Sequence, residues 1–263
     1  MYKTLCFSFL TLLFANSMGA TLGKVMINDP RLGPRPVVYE ENNGFAVSEG
    51  DIILARMTDL SRKGAIITLM MGGSRWPNGV MPFEISENLP FKNKLAIMQA
   101  IAHWQEKTHI KFVELTSENR NQYRDYVYFI PAPGTTCSSF VGKQGGRQEI
   151  NLSPRCTAMN TVHEIGHALG LWHEQSRADR ANFIRIDWEN IEEEHKYNFN
   201  QHLTDGNDFG EYDYQSIMHY GPYAFSKNGK KTIIPLSDEI EIGQREHLSD
   251  KDIAAIDAMY PEN

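Results

Sequence analysis

The sequence lacks an excess of positive charge, internal repeats and low-complexity tracts. Its 26 Lys and Arg residues are outnumbered by 33 Asp and Glu residues, which gives a formal net charge of −7. A nucleic-acid-binding protein is expected to carry a basic stripe, so this balance argues against nucleic acid as a partner. With 41% hydrophobic and 22% charged residues, the composition is typical of a globular protein and excludes the collagen-like, disordered and membrane-bundle classes.

Long apolar runs are also scarce, and the one that stands out lies at the N-terminus. Lys3 precedes the apolar residues 5–15, and small residues follow up to Ala20. This order is typical of a secretory signal peptide over residues 1–20. An apolar run of about 11 residues is shorter than the roughly 20 that a membrane-spanning helix needs, so an N-terminal anchor is the weaker alternative. We therefore expect a secreted, extracellular protein with no membrane span.

Cysteine is rare, with three residues in the chain. Cys6 lies in the predicted signal peptide, which leaves Cys137 and Cys156 as the pair that meets an oxidising compartment. We predict that these two form a disulfide, which would stabilise the fold by about 3 kcal/mol in the chain-entropy model. Two independent buried thiols are the alternative.

Residues 21–65 differ in composition from the residues that follow. They contain no His, Trp or Cys, carry a Pro-rich patch at residues 33–36, and end near the basic pair Arg62 and Lys63. We interpret them as a pro-segment that an activating protease removes near this pair, with residues 66–263 as the catalytic domain. A solvated turn is the alternative interpretation of the pair.

The apolar periodicity of the remaining chain predicts an α+β protein. The predicted strands are residues 80–85, 110–115, 126–130 and 148–152, and the predicted helices are residues 91–107, 160–171, 187–197 and 249–260. Ser249 is the predicted N-cap of the last helix, with Asp252 three residues further on, close to the capping-box pattern. Strands gather with helices in the first half, while helix and loop dominate the second.

Two histidines have the spacing of metal ligands on a helix. His163 and His167 are four residues apart, so their imidazoles lie on one face and can bind one ion. Glu164 is displaced by about 100° around the helix axis, where its carboxylate can sit beside a metal-bound water without being a ligand.

A third histidine follows a glycine that can stop the helix. Gly170 can adopt a left-handed conformation that ends the helix and returns the chain, so that His173 becomes a third ligand. Three imidazoles leave one position open, which is the pattern of a catalytic zinc site rather than a structural one. The other histidines without such spacing are predicted to be ordinary surface or core residues: His103, His195, His202 and His247.

The string H-E-x-x-H-x-x-G-x-x-H resembles the signature of the metzincin clan of zinc peptidases, in which a Met-turn follows. Met218 lies in such a turn, residues 216–220. Glu174, Arg177 and Tyr220 make the site similar to that of the astacin family. Further stretches similar to landmarks of this family are residues 75–79, 108–112, 242–245 and 248–252.

This resemblance covers roughly residues 66–260 and implies a zincin-like metzincin fold. The N-terminal subdomain would hold a mixed twisted sheet and two helices, and the C-terminal subdomain would be mostly loop with a terminal helix. One catalytic Zn²⁺, held by His163, His167 and His173, would lie in the cleft between them. The family cysteine at the position of His109, and its partner after the terminal helix, are absent from this sequence.

The resemblance also implies roles for single residues. Glu164 would take a proton from the zinc-bound water as it attacks a peptide carbonyl, and would pass it to the leaving amine. Tyr220 would be a further zinc ligand at rest and would swing to bind the oxyanion, with a packed aromatic role as the alternative. Met218 would form an apolar floor beneath the histidines, and Glu174 would pair with the new N-terminal amine after processing.

Latency in such a precursor cannot depend on a cysteine, because residues 21–65 have none. Residues 49–52 resemble the aspartate switch of astacins, in which Asp51 would take the place of the catalytic water until cleavage. Ser48 stands where the family has Phe, and an ordinary turn residue is the alternative role for Asp51.

The expected substrates are proteins or peptides that bind in an extended form. We expect residues 148–152 to be the sheet edge with which the substrate pairs through backbone hydrogen bonds. The family often favours an acidic residue just after the scissile bond, and Arg245 or His247 would lie near that pocket.

Two other classes are possible. A matrixin or serralysin-like enzyme is disfavoured because Glu174 follows the third His and the calcium-binding Gly-Gly-x-Gly-x-Asp repeats are missing. A catalytically inactive zinc-binding adhesin or inhibitor module is disfavoured because Glu164 and Tyr220 are intact. The sequence therefore predicts a secreted zinc-dependent endopeptidase made as a latent zymogen.

Overall fold

The computed structural model describes residues 22–29, 33–63, 74–204, 206–237 and 239–262. The predicted signal peptide, residues 1–20, lies outside this part of the chain, as do residues 64–73, which follow the basic pair. Among the described residues, no helix combines the length and the apolar character needed to cross a membrane.

The described residues form a nine-stranded sheet, a two-stranded sheet and four α-helices. The strands of the large sheet are β1 (Leu22–Asp29), β2 (Gly33–Asn42), β3 (Phe45–Ser48), β4 (Ile52–Arg56), β5 (Val80–Ile85), β6 (Lys111–Glu114), β7 (Tyr126–Pro131), β8 (Cys137–Ser139) and β9 (Arg147–Leu152). The small sheet pairs β10 (Ile184–Ile186) with β11 (Ile233–Pro235). The helices are α1 (Met57–Lys63), α2 (Phe91–Lys107), α3 (Ala158–Leu169) and α4 (Asp250–Met259).

The large sheet is mixed, as the sequence predicts. Its strand order is β1-β2-β3-β4-β8-β9-β7-β5-β6. The strands β9, β7, β5 and β6 are parallel to one another, whereas β8 runs antiparallel to β9. With helices and loops following in the second half of the chain, this is an α+β architecture that agrees with the predicted metzincin fold.

Helices α2 and α3 pack together against one face of the sheet. The range predicted for α2, residues 91–107, is confirmed, because its apolar residues recur with helical spacing and face the core. The indole N–H of Trp104 donates to the carbonyl of Val162 in α3 at 3.1 Å. Trp104 is fully buried in the main hydrophobic core, which lies between these helices and the sheet.

Helix α3 carries the histidine motif and has well-defined ends. Its N-terminus is a capping box, in which Thr157 accepts the N–H of Asn160 at 3.2 Å and Asn160 accepts the N–H of Thr157 at 3.1 Å. Its C-terminus is Gly170 with φ of 115°, a conformation that favours glycine. The helix stop predicted at Gly170 is therefore confirmed, whereas the predicted range 160–171 starts two residues late and runs two residues past Leu169.

Two contacts involve the predicted disulfide and the position of the missing family cysteine. Cys137 and Cys156 form the predicted disulfide, with their Cα atoms 6.1 Å apart. His109, at the position of the missing family cysteine, contacts Glu262 with 3.0 Å between Nδ1 and Oε1. Both of these side chains are largely exposed, so this contact contributes little stability.

One predicted helix is wrong. Residues 187–197 form short 3₁₀ segments at Trp188–Asn190 and Glu193–Phe199 instead of an α-helix. Between them Ile191, which is buried, forms an isolated bridge with Ser226. Tertiary burial of Ile191 and Phe199 in the C-terminal core overrides the helical pattern of the local sequence.

The prediction that residues 148–152 form the sheet edge for substrate binding is also wrong. Strand β9, which contains residues 148–152, pairs with β7 on one side and with β8 on the other. On this side the last strand contributed by the catalytic domain is β8, and β4 of the N-terminal segment pairs with its outer edge. Ile52 of β4 pairs in parallel with Ser139 of β8, and the N–H of Ser139 donates to the carbonyl of Asp51 at 2.9 Å.

This N-terminal segment, which comprises the described residues 22–29 and 33–63, has more structure than its composition suggested. Strands β1 to β4 form an antiparallel meander that extends the sheet, and α1 follows β4 directly. Its own small core includes Ile52 and Leu54 and packs against Val141 and Trp172 of the rest of the chain. The segment therefore docks as a continuation of the catalytic fold.

Candidate metal centre

Helix α3, the chain after Gly170 and the N-terminal segment meet at one buried point. His163 and His167 come from α3, His173 follows the left-handed turn, and Asp51 precedes β4. One ligand atom from each of these four residues lies within 4.8 Å of the others. The three histidines are buried and Asp51 is partly buried.

Each imidazole uses its Nδ1 atom for an outward hydrogen bond. His163 Nδ1 lies 2.8 Å from the carbonyl of Ile217, and His167 Nδ1 lies 2.8 Å from the carbonyl of Leu171. His173 Nδ1 lies 2.9 Å from Oε2 of Glu49. Because these partners are acceptors, the proton resides on Nδ1 in each ring and the Nε2 lone pairs point inward.

The inward Nε2 atoms face the carboxylate of Asp51. The distances from Asp51 oxygens to Nε2 are 3.2 Å for His163, 3.6 Å for His167 and 3.1 Å for His173. Among the described residues, Asp51 Oδ1 and the Nε2 atoms of His167 and His173 have no hydrogen-bond partner. Lone pairs that converge without a donor between them fit a bound cation, and three imidazoles with one carboxylate match the ligands that zinc prefers.

The charge state of the imidazoles follows from burial and from the nearby carboxylates. Burial lowers the pKa of His163 to about 3 and also lowers the pKa of His167, so both rings are neutral and able to bind a metal. Burial acts in the same direction on His173, but the carboxylates of Asp51 and Glu49 outweigh it and raise the pKa to about 9. A metal cation at the centre would balance the negative charge of the same two carboxylates, in place of the proton on His173.

Glu164 lies beside the ligands without joining them. It is buried, and its Oε2 atom has no hydrogen-bond partner in the part of the chain that the structure describes. Burial, with the negative charge of Asp51 as a second cause, raises the pKa of its carboxyl well above the usual range. This placement agrees with the helix geometry expected from the sequence.

Tyr220 packs against the third histidine. Its ring centroid lies 4.6 Å from that of His173, and its hydroxyl donates to the backbone carbonyl of Glu49. The hydroxyl is therefore engaged by the N-terminal segment while that segment is docked, and the metal contact of Tyr220 in the mature protein stays a prediction.

Met218 lies beneath the histidine helix. It is buried, and a Cβ atom added at Gly166 of α3 would come within 2.8 Å of its sulfur. The glycine between the two histidine ligands thus allows the Met-turn to approach the helix, and the apolar floor stays a prediction.

Glu174 is not among the residues that converge on the metal position, and it lines a cavity of about 330 Å³ that Trp172 and Arg75 also line. Its carboxylate accepts the N–H of Asp213 at 2.7 Å and lies 3.5 Å from the guanidinium of Arg177. Burial raises the pKa of Glu174 to about 8.

The two candidates for the substrate pocket differ in position. Arg245 donates to the backbone carbonyls of His219 and Gln244 at 3.0 and 2.8 Å, and its charge helps to lower the pKa of His163. His247 is exposed, and its N–H donates to the side chain of Gln244. Arg245 is therefore the candidate nearer to the metal centre.

Sequence reasoning missed two residues of the site. Glu49 is buried and contacts His173, the hydroxyl of Ser176 at 3.0 Å and Nε2 of His202 at 2.5 Å. His202, which the sequence placed among ordinary histidines, also packs its ring on Trp172. Their separation of 153 residues left no local signal by which they could have been found.

Comparisons with known proteins agree with this site. The family model Astacin, which describes a family of peptidases, matches residues 70–261. The chain is 36% identical over 252 residues to zinc metalloproteinase nas-4 of Caenorhabditis elegans, covering 91% of this chain and 73% of that protein. It is 36% identical over 234 residues to low choriolytic enzyme of Oryzias latipes, covering 85% of this chain and 82% of that protein. It spans less than half the length of some other relatives.

A solved structure supports the same assignment. High choriolytic enzyme 1, a hatching enzyme zinc-protease from Oryzias latipes, superposes with a TM-score of 0.64 at 37% sequence identity, covering 72% of this chain and 94% of that chain. The region that the family model matches contains the histidine motif, the Met-turn and the terminal helix. The chain belongs to the astacin family of peptidases and is a zinc metalloendopeptidase.

Proposed function

We propose that this protein is secreted and is made as a latent precursor of an endopeptidase that cleaves protein or peptide substrates. In this proposal residues 1–20 are the signal peptide, residues 21–65 the pro-segment and residues 66–263 the catalytic domain. The single observation that carries it is the contact of Asp51 with all three histidines. A carboxylate from the N-terminal segment there excludes a substrate from the site.

The proposed metal ligands are His163, His167 and His173, with Asp51 as the fourth ligand in the precursor. Their convergent inward atoms support one Zn²⁺ ion as the cofactor. When bound, this ion supplies Lewis-acid chemistry that polarises a peptide carbonyl and lowers the pKa of a water molecule.

Glu164 is the proposed general base and acid. Its Oε2 atom, which no described residue engages, supports this role, because such a carboxylate is free to accept a proton from the attacking water. The same carboxyl then delivers the proton to the leaving amine.

Tyr220 is proposed to stabilise the oxyanion after activation. In the precursor its hydroxyl donates to the carbonyl of Glu49. Removal of the N-terminal segment frees this donor, which lies on a ring packed against His173. The hydroxyl can then bind the metal site at rest and donate to the developing negative charge.

Latency in this proposal has two components. Asp51 takes the position of the catalytic water, and β4 occupies the edge of β8 on which a substrate strand would pair. An activating protease that cuts after α1 would release both. The new N-terminal amine could then enter the cavity lined by Glu174 and Trp172 and pair with the Glu174 carboxylate.

The preference for an acidic residue after the scissile bond is likewise a proposal. Arg245 supports it by its position near the metal centre, whereas the exposed His247 does not. A cleavage-site library with no acidic preference would remove Arg245 from this role.

A protease assay on the processed protein tests the proposed function. Hydrolysis of casein that is abolished by o-phenanthroline and restored by zinc is the expected result, together with one zinc ion per molecule by elemental analysis. Secretion is tested by recovery of the protein, lacking residues 1–20, from the culture medium of expressing cells. Bound zinc without any hydrolysis would instead support an inactive binding module.

A further inference from the structure

A buried carboxylate of the catalytic sheet is paired with an arginine of the N-terminal segment. Glu149 lies on β9 and its side chain is only 2% exposed. Nη2 of Arg56 lies 2.7 Å from Oε1 and 2.6 Å from Oε2 of Glu149. The same nitrogen donates to the carbonyl of Arg147 at 2.9 Å. Arg56 therefore contacts the start of β9 through side-chain and backbone acceptors together.

This pair lies on the open face of the sheet, opposite the helices. Ile150 of β9 points into the main core with α2 and α3, so the adjacent residue Glu149 points to the other face. Arg56 pairs with Phe45 across β3 and β4, and Phe45 packs against Phe140 on that face. On that face the carboxylate of Glu149 contacts Arg56 of the N-terminal segment.

The position of the pair relative to the metal centre follows from the strand pairing. Asp51 lies at the histidines and Ile52 is paired with Ser139. From this point β4 runs along the catalytic sheet to Arg56, a distance of about 16 Å for five extended residues. Ser139 also pairs with Ile150 of β9, so the backbone of Glu149 lies about two residues along the same groove from Asp51, and the side chain of Arg56 extends to it.

We propose that Glu149 forms a substrate subsite for a basic side chain in the mature enzyme, and that Arg56 occupies this subsite in the precursor. The inference rests on the proposed removal of the N-terminal segment. When Arg56 leaves with the N-terminal segment, Glu149 keeps only its contact with Arg147, and its carboxylate faces the vacated groove. An arginine or lysine of the substrate restores the pair.

Strand direction gives the side of the scissile bond on which this residue lies. A substrate strand that adds to β8 in the antiparallel direction runs opposite to β4. The substrate residues that take the place of Arg56 therefore precede the cleaved bond. The favoured basic residue is expected about two to five positions before that bond, between the level of Glu149 and that of the Arg56 backbone, given a rise of about 3.3 Å per residue.

Arg147 is the competing partner of Glu149 within the enzyme. Its Nη2 atom lies 3.2 Å from Glu149 Oε1, and its side chain is half exposed, with a relative exposure of 50%. A single contact from a solvated side chain leaves Oε2 of Glu149 available. The preference for a basic residue is accordingly expected to be graded rather than absolute.

The experiment uses the activated enzyme and a set of internally quenched peptides with one cleavable bond. Alanine or arginine is placed at each of positions two to six before that bond, and kcat/KM is measured for every peptide. The expected result is a position at which arginine raises kcat/KM by about tenfold over alanine, which corresponds to about 1.4 kcal/mol. Glutamate at the same position is expected to lower kcat/KM relative to alanine.

A matched pair of variants tests whether Glu149 causes the preference for arginine. Glu149→Gln keeps the shape of the side chain and removes its charge, and the ratio of kcat/KM for the arginine peptide over the alanine peptide is expected to fall about tenfold. Glu114→Gln removes an exposed carboxylate of β6 and keeps the ratio of the wild type. Zinc content and the thermal midpoint of both variants are recorded to show that they are folded.

Three results overturn the subsite. They are equal cleavage of alanine and arginine peptides by the wild type at every position, a preference that Glu149→Gln leaves intact, and a preference found only after the cleaved bond. The first of these needs no variant, so it stands even where Glu149→Gln fails to fold. Failure of the proposed function gives a different result, since the wild type then cleaves none of the peptides.

Discussion

The carboxylate of Asp252 accepts the backbone N–H of Ile217 at 2.9 Å, and the carbonyl of Ile217 lies 2.8 Å from Nδ1 of His163. Asp252 also accepts the hydroxyl of Ser216 at 2.6 Å and caps α4 by accepting the N–H of Ser249 at 3.0 Å. One buried side chain therefore connects the terminal helix to the Met-turn and orients a metal ligand.

Asp252→Ala is expected to weaken both the fold and the metal site. It leaves the buried N–H of Ile217 without its acceptor, and the expected loss in the free energy of unfolding is about 2–4 kcal/mol. The affinity for zinc is expected to fall by about 10–100-fold, because the support of a ligand imidazole is lost. Denaturant titration and competition with a chelator measure the two effects. Asp250→Ala, an exposed residue of the same helical turn, is the control, and equal effects of the two variants would contradict the role of Asp252.

Asp51→Ala is expected to make the uncleaved precursor partly active. The substitution removes the carboxylate that contacts the three histidines, while β4 still covers the edge of β8. Hydrolysis of a short fluorogenic peptide should rise by at least about tenfold over the wild-type precursor, equivalent to about 1.4 kcal/mol, and should remain below that of the processed enzyme. Asp59→Ala removes a carboxylate that is 43% exposed and should leave the precursor inactive. A silent Asp51→Ala precursor that binds zinc would rule out the switch.

Glu164→Gln is expected to separate metal binding from turnover. The amide keeps the size of the side chain but cannot act as a base, so kcat should fall by about 10²–10⁴-fold. Zinc content should stay at the wild-type level, because Glu164 is not among the residues that converge on the metal. Glu106→Gln, at a glutamate that is 71% exposed, is the control for activity. Turnover of Glu164→Gln close to that of the wild type would assign the proton transfer to another group.

His219 makes the precursor sensitive to acid. Burial lowers its pKa to about 4, against about 6.5 in an unfolded chain. As the pH falls from about 6.5 to about 4, the unfolded chain binds a proton that the folded protein does not, and about 3 kcal/mol of stability is lost from this group. The folded ring is neutral, with Nε2 2.7 Å from the hydroxyl of Tyr212 and Nδ1 2.8 Å from the carbonyl of Tyr220.

His219→Gln removes this titration and keeps a donor and an acceptor. Denaturant unfolding across this pH range should show the variant gaining stability relative to the wild type as the pH falls. His247→Gln, at an exposed histidine, is the control for the substitution itself. A constant difference between His219→Gln and the wild type at every pH would refute the assignment.

Local patterns predicted the elements that local forces determine. The range of α2 is as predicted, because its apolar spacing and its core face coincide. The capping box at Ser249 is also confirmed. The start of α3 was missed because Thr157 and Asn160 form a capping box with Asn at the third position, in place of the usual Glu or Gln.

Elements that depend on distant partners were mispredicted or missed. Residues 187–197 have a helical pattern, but the burial of Ile191 and Phe199 holds them in 3₁₀ segments. Strand β8 has only three residues, which is too short for a periodic pattern, and the sequence therefore predicts β9 as the edge. The strands of the N-terminal segment were not predicted, since their apolar residues are buried only by docking onto the catalytic sheet.

The histidine spacing by itself determined which chain segment holds the metal ligands, because the geometry of a helix turn places side chains four residues apart on one face. The partners of those ligands were decided only in three dimensions. Asp51 reaches His163 across 112 residues of sequence, and Glu49 reaches His173 across 124. Such pairs form only because β4 pairs with β8. This pairing uses backbone groups, so many different sequences could make it and none of them signals it locally. The metal ligands of α3 are therefore predictable from local spacing. The blocking of the site in the precursor and the access of a substrate depend instead on how the strands of the sheet assemble.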